Sequence, residues 1–226
     1  QSRSSAASDV YKRQLLSLKE KNCQSLIILP LFPQYSGTTT GSVFDEVTRV
    51  LSKWRWVPAL NFINSYHDHD SYISGLVATI KNKISNHRPQ KIIFTYHGIP
   101  KRNFTLGDPY QCFCQKTTRL VAEKLNLKEE EYITTFQSRF GPAEWLKPYT
   151  SETMERLPSE GIKDIMVIAP AFSVDCLETI EEIDEENKEI FLKAGGNKFH
   201  YIPCLNDSDE QINFINTLLN EHISVM

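Results

Sequence analysis

No stretch of the 226-residue sequence approaches the roughly 20 uninterrupted apolar residues that a membrane-spanning helix needs. No basic-then-apolar secretory pattern opens it either. The cytoplasm is the default expectation, with peripheral association at the inner face of the membrane left open. Charge of one sign is not in excess: 25 Lys and Arg against 28 Asp and Glu leave a formal net charge of −3. A polyanion such as nucleic acid is therefore not expected as a partner. Neither Gly-x-Gly-x-x-Gly after a strand-like run nor Gly-x-x-x-x-Gly-Lys-Ser/Thr occurs, which leaves nucleotide binding with little support. Cysteine is sparse and odd in number: Cys23, Cys112, Cys114, Cys176 and Cys204, with no Cys-x-x-Cys pair. That argues against a disulfide framework and a structural zinc site. Cys112 and Cys114 form an isolated Cys-x-Cys, read as reduced structural thiols.

Residues 1–14 are polar, Ser/Ala-rich and without initiator Met. They are expected to be a non-native or disordered leader outside the fold, with the natural chain beginning well upstream. Beyond them, short β-rich apolar runs alternate with amphipathic segments. The runs at 25–32, 61–66, 91–97, 132–137, 164–172 and 199–204 predict buried parallel strands. Helices are predicted at 42–54, 70–86, 109–125, 152–160, 175–194 and 208–221. This rhythm is that of an α/β fold with parallel sheets covered on both faces. The stretch 85–90, where Pro89 ends a helix, is the expected domain boundary.

Chemistry in open α/β sheets sits beyond the carboxyl ends of the strands. His97 ends one apolar run and Gly98 lets the chain turn away, leaving an imidazole that can accept a proton or ligate a borderline metal. A simple hydrogen bond to a neighbouring loop would also explain a strand-end His. Downstream, Glu178, Glu182 and Glu186 recur at i, i+4 and i+8, with Glu185 and Glu189 alongside and Leu177, Ile180, Ile183 and Phe191 opposite. Such a stripe can be the solvated face of an amphipathic helix, and Asp175 with Glu178 fits a capping box. Five carboxylates within about three turns repel one another, however, and a row of hard oxygen donors suits a passing divalent cation. Tyr35, Tyr110, Phe140 and Trp145 lie in or just after strand-end loops, where flat rings could cover a flat apolar ligand.

Four ordered blocks, PLFPQYSGTTTGS, YHGIPKRNFTLGDPY, FQSRFGPAEWLKPYT and PAFSVDCLETIEEIDEEN, resemble the signature segments of ferrochelatases, particularly the proteobacterial type. The resemblance covers essentially everything after residue 14. It implies two flavodoxin-like chelatase domains with a porphyrin cleft between them: a truncated first domain at 15–88 and a second at 89–226, whose last helix packs back on the first. It implies insertion of Fe²⁺ into protoporphyrin IX to form protohaem. His97 matches the catalytic histidine, and Glu178 the carboxylate paired with it, both also candidate metal ligands. Glu182 and Glu186 match the acidic metal line. Tyr35, Ser36, Tyr110, Gln137, Ser138, Trp145 and Asp175 match substrate-binding positions.

Three departures accompany the match. The family's opening strand and lid-forming segment have no counterpart, so much of the first domain is expected to be absent. Gly37 stands where cluster-bearing members have a cysteine, and the sequence ends at Met226 without the others, so no [2Fe–2S] cluster and no organic cofactor are expected. Cys176 stands where many relatives have His, which leaves more to His97 and Glu178. Porphyrin and ferrous iron are the expected substrates, while oligomeric state is not implied. Two alternatives stand beside this reading: a cobalt or nickel chelatase acting on a sirohydrochlorin-type ring, and a non-catalytic tetrapyrrole-binding fragment.

Overall fold

The computed structural model describes residues 5–224. Helix α1 (Ser5–Glu20), strand β1 (Ser25–Ile28), α2 (Thr40–Leu51) and β2 (Ala59–Phe62) come first, followed by α3 (Asp70–Asn86). Next are β3 (Lys91–His97), α4 (Lys101–Thr105), α5 (Tyr110–Leu125), β4 (Tyr132–Gln137), α6 (Thr150–Arg156) and β5 (Asp164–Ile168). A short α7 (Leu177–Thr179) leads into a π-helix over Ile180–Asn187, then α8 (Lys188–Lys193), β6 (Lys198–Ile202) and α9 (Asp209–Ile223). Strands β1 and β2 pair in parallel, and the other four form a parallel sheet in the order β4-β3-β5-β6. The class is α/β, as expected.

The middle strands β3 and β5 are buried along nearly their whole length, as continuous apolar runs must be when helices cover both faces. Side chains alternate across the sheet. Ile92, Phe94 and Tyr96 enter a core closed by α3, α5 and α9. Ile93 enters a second core with Met154 of α6, Ile183 of the π-helix and Phe191 of α8. By the same alternation Thr95 and His97 follow Ile93 onto that second face. Each fully buried Phe, Ile or Leu contributes about 1.5–3 kcal/mol, so these two cores hold the larger unit together. The two-stranded unit has a smaller core of Leu15, Leu26, Val43, Val47, Val50 and Leu51.

Three expectations need adjustment. The leader was placed outside the fold, but residues 5–14 lie in α1, where Tyr11 and Leu18 pack beside buried Leu15 on the small core. Apolar residues at 11, 15 and 18 make a helical stripe that the polar start conceals. Helix α3, expected in the first domain, packs Ile73, Leu76 and Ile80 into the core beside Ile92, Phe94 and Tyr96 of the four-stranded sheet. The last helix packs chiefly on α3 and reaches the first unit where His222 Nδ1 meets Asn61 Oδ1 at 3.1 Å. No helix among the described residues is long and apolar enough to cross a membrane.

Candidate active site

His97 closes β3 and is paired in register with Gln137, the last residue of β4. Gly98 is required there. A Cβ at that position would lie 2.8 Å from the Gln137 carbonyl oxygen and 3.0 Å from the Trp145 ring, so no larger residue lets the strands meet. The His97 Nδ1 lies 2.7 Å from the Gly98 carbonyl, which can only accept. Nδ1 therefore carries the proton, and in the neutral ring Nε2 keeps its lone pair. The rings of Trp145 and Phe172 flank the imidazole at 6.4 Å each.

Hydrogen bonds run from the interior to the carboxylates. The buried Thr95 hydroxyl donates to Gln137 Oε1 at 2.9 Å, which directs Gln137 Nε2 to the Glu178 carbonyl at 2.8 Å and Glu182 Oε2 at 3.3 Å. Ser138, in the left-handed backbone region at φ 61°, gives its N–H to Glu182 Oε1 at 2.6 Å and its hydroxyl to Oε2. Glu182 is thus held by three donors. With Glu186, Glu152 and Arg139 it lines a cavity of about 310 Å³ that begins at Gln137, beside His97. Glu178 is not among the residues that line it. The Cys176 thiol, local backbone and the charge of His97 hold its carboxyl below the usual range despite some desolvation.

The stripe was expected on a helix of 3.6-residue period. Over Ile180–Asn187 the helix is instead of π type, with backbone bonds reaching five residues, and the Asn187 side-chain Nδ2 also donates to the Glu182 carbonyl at 2.6 Å. The expected apolar face divides as well: Ile183 and Phe191 are buried, whereas Leu177 and Ile180 are 70% and 52% exposed. They join Leu31, Phe32, Phe140 and Val174 as exposed apolar side chains beyond strand carboxyl ends. The Ser173 hydroxyl donates to the Leu31 carbonyl at 3.1 Å, which brings the exits of β1 and β5 together. Exposed apolar side chains and polar, titratable groups therefore share the carboxyl ends of the strands, the composition of a site for a large apolar ligand.

Other expected residues have structural tasks. Asp175 does not cap the helix. Cys176 does, in a reciprocal exchange with Thr179, while the Asp175 carboxylate accepts from Tyr201, Asn206, Thr179 and the Cys204 N–H. Ser36 is fully buried and donates to Asp108 at 2.8 Å, and the same carboxylate accepts from the Tyr110 N–H at 3.0 Å. Tyr110, the first residue of α5, is buried in the core beside Cys114. Tyr35 is half-buried, its hydroxyl against Gly41. Cys112 is exposed and Cys114 buried, so that pair does not converge. Thr95, Phe172 and Arg139 were not anticipated. For Thr95 the signal was available, since two residues before a strand-end His lies on the same face.

The sequence model of the ferrochelatase family matches residues 6–223. A relative named Ferrochelatase 2, from Shewanella oneidensis, is 52% identical over 210 residues, covering 92% of this chain and 64% of that protein. A ferrochelatase from Hydrogenovibrio crunogenus is 54% identical over 197 residues, 87% of this chain and 52% of its own length. The chain thus spans between half and two-thirds of these relatives. A solved structure titled SirB from Bacillus subtilis with Fe³⁺ superposes with a TM-score of 0.66 at 14% identity, covering 91% of this chain and 74% of that one, a likeness of fold alone. Matched along nearly its whole length by that family's model, and half identical to proteins that bear its name, the chain belongs to the ferrochelatase family.

Proposed function

We propose that this chain carries the metal-inserting centre of a ferrochelatase, which places Fe²⁺ in protoporphyrin IX to give protohaem. The observation that carries the reading is His97, its Nδ1 tied to a carbonyl and its Nε2 without a hydrogen-bond partner among the described residues, beside an anionic Glu178. Insertion exchanges two pyrrole N–H protons for one Fe²⁺. His97 Nε2 accepts one proton. Glu178 takes the other or passes the metal, and Glu182 and Glu186 offer oxygens along the adjoining cavity. The exposed apolar side chains, with Trp145 and Phe172 beside the imidazole, would grip the macrocycle. A grip that fits a bent ring better than a flat one lowers the barrier by differential binding.

A second reading, binding without metallation, is favoured by how open this arrangement is, with Phe140 81% and Leu177 70% exposed. A protoporphyrin titration run beside an Fe²⁺-insertion assay on this chain separates the two. Binding followed by the metalloporphyrin spectrum supports the first reading. Binding with no insertion supports the second, and no porphyrin binding overturns both.

A further inference from the structure

At the opposite, amino-terminal edge of the four-stranded sheet stands a cluster in which the haem chemistry has no part. His87 follows the last residue of α3, Asp164 opens β5 and His200 lies in β6. One donor atom from each, two imidazole nitrogens and a carboxylate oxygen, lie within 4.8 Å of one another. His87 Nε2 sits 2.8 and 2.7 Å from the two Asp164 oxygens, and the His87 and His200 rings are 4.8 Å apart. His200 Nε2 is buried with no hydrogen-bond partner. We propose that His87, Asp164 and His200 form a second cation site, for a borderline divalent ion of the Zn²⁺ class, distinct from the centre at His97.

The donor set is the first support. Two neutral imidazoles and one carboxylate, with a position left for water, is a common three-ligand zinc arrangement, and the same set also suits Fe²⁺. Geometry is the second. Tetrahedral ligands about 2.1 Å from a metal are roughly 3.4 Å apart, so the cluster closes around an ion by rotating side chains alone. The side chains of His87 and Asp164 are 27% and 21% exposed, which gives an ion an entry path and room for that water. Support for the frame is the third: Gln90 Oε1 accepts from the Asp164 N–H at 3.0 Å, and the Gln90 N–H donates to the Asp164 carbonyl at 2.9 Å.

A His87–Asp164 ion pair that closes α3 explains two of the three residues. It leaves the buried His200 nitrogen without a partner, a deficit that ligation would remove. Exposed Lys83 and Lys198 stand near His200 and oppose a cation, so affinity must come from the three donors and not from the surrounding field. The strand register sets His200 level with Ile92, five residues of β3 or about 17 Å at the usual rise from His97, too far for a shared ion. The ligands come from α3, β5 and β6, so a bound ion would clamp those elements together as a structural metal does.

Co²⁺ and Zn²⁺ titrations test the site, using the whole chain stripped with a chelator and carrying His97→Ala, Glu178→Gln, Glu182→Gln and Glu186→Gln so that the first centre cannot contribute. One equivalent of Co²⁺ should bind with the intense visible bands of a four-coordinate ion, and Zn²⁺ should displace it and raise Tm. Adding His200→Gln or Asp164→Asn should weaken Zn²⁺ by more than the roughly 10–100-fold that losing an outer-shell partner costs, and should abolish the rise in Tm. Both substitutions are near-isosteric and polar, and circular dichroism confirms folding. No binding to the parent, or equal Zn²⁺ affinity in parent and both folded variants, overturns the proposal.

Discussion

On the face of the four-stranded sheet covered by α3, α5 and α9, β3 contributes Ile92, Phe94 and Tyr96 to a closed core. On the opposite face the same strand contributes Ile93, Thr95 and His97, a series that passes from apolar to polar to titratable. Polar groups occur on both faces but end differently. The Tyr96 hydroxyl meets Thr118 Oγ1 at 2.9 Å, which also accepts from the Thr134 hydroxyl at 3.1 Å, so the series stays among buried groups, and burial keeps Tyr96 protonated well above its ordinary range. The Thr95 hydroxyl instead starts a series through Gln137 that ends on Glu182, in the wall of the cavity that Glu186 also lines. One strand therefore closes a core on one side and carries the proposed insertion centre on the other. The carboxylate of Glu182 is placed by hydrogen bonds rooted in the core and not by the loops alone.

The contrast is tested most severely at Phe191, the fully buried ring on the second face, against which Gly196 packs so closely that a Cβ there would overlap it. Phe191→Ala should cost about 3–5 kcal/mol in chemical denaturation and loosen the π-helix that carries the acidic residues. Val47→Ala, in the small core of the first unit, should leave that helix protected against hydrogen exchange. In the parent, β1 amides should exchange faster than those of β3 and β5. Equal protection would mean that the two units unfold as one.

His97→Ala comes next. Metal insertion should fall by roughly 10² or more, the usual loss when a general base is removed, while porphyrin binding survives. Near-normal insertion would move the chemistry off this face. Glu182→Gln should act more weakly, raising the apparent KM for Fe²⁺ more than that for porphyrin, and equal effects on both would return the acidic row to a solvated surface. Tyr96→Phe, on the closed face, should cost only about 1 kcal/mol of stability and change neither KM.

Much of this division was legible in advance, and what was not has identifiable causes. Continuous apolar runs mark β3 and β5, and His97 followed by Gly98 marks where β3 ends, at the carboxyl edge of the sheet. The π-helix was hidden. Its five-residue bonds change the register without changing composition, so a 3.6-residue period grouped exposed Leu177 and Ile180 with buried Ile183 and Phe191. Tyr110 and Ser36 match substrate-binding positions by resemblance alone, and both are buried, with the Asp108 carboxylate accepting from the Ser36 hydroxyl and the Tyr110 N–H. A linear motif shows that a segment is near a site. It does not show which of its side chains face that site.

Asp175 gives the smallest expected effect and bears on the same point, since it was read as touching substrate and instead joins the start of α7 to the end of β6. Burial would raise its carboxyl, but donors from Asn206, Tyr201 and Cys204 outweigh burial and hold it below its ordinary value of 3.8. A carboxyl with a depressed folded value stabilises the protein above the unfolded value, and that contribution disappears as pH falls through the folded one. Stability from Asp175 should therefore be complete above about pH 5 and decline below about pH 4. Solvent reaches the group and screens it, so the decline should be shallow. In Asp175→Asn the amide cannot accept at both positions, and the Asp175 share of the acid decline should vanish while porphyrin affinity at neutral pH stays unchanged. Denaturant midpoints measured from pH 3 to pH 7, beside a porphyrin titration, decide the matter. An unaltered acid decline with weakened porphyrin binding would restore Asp175 to the binding surface and remove it from the scaffold.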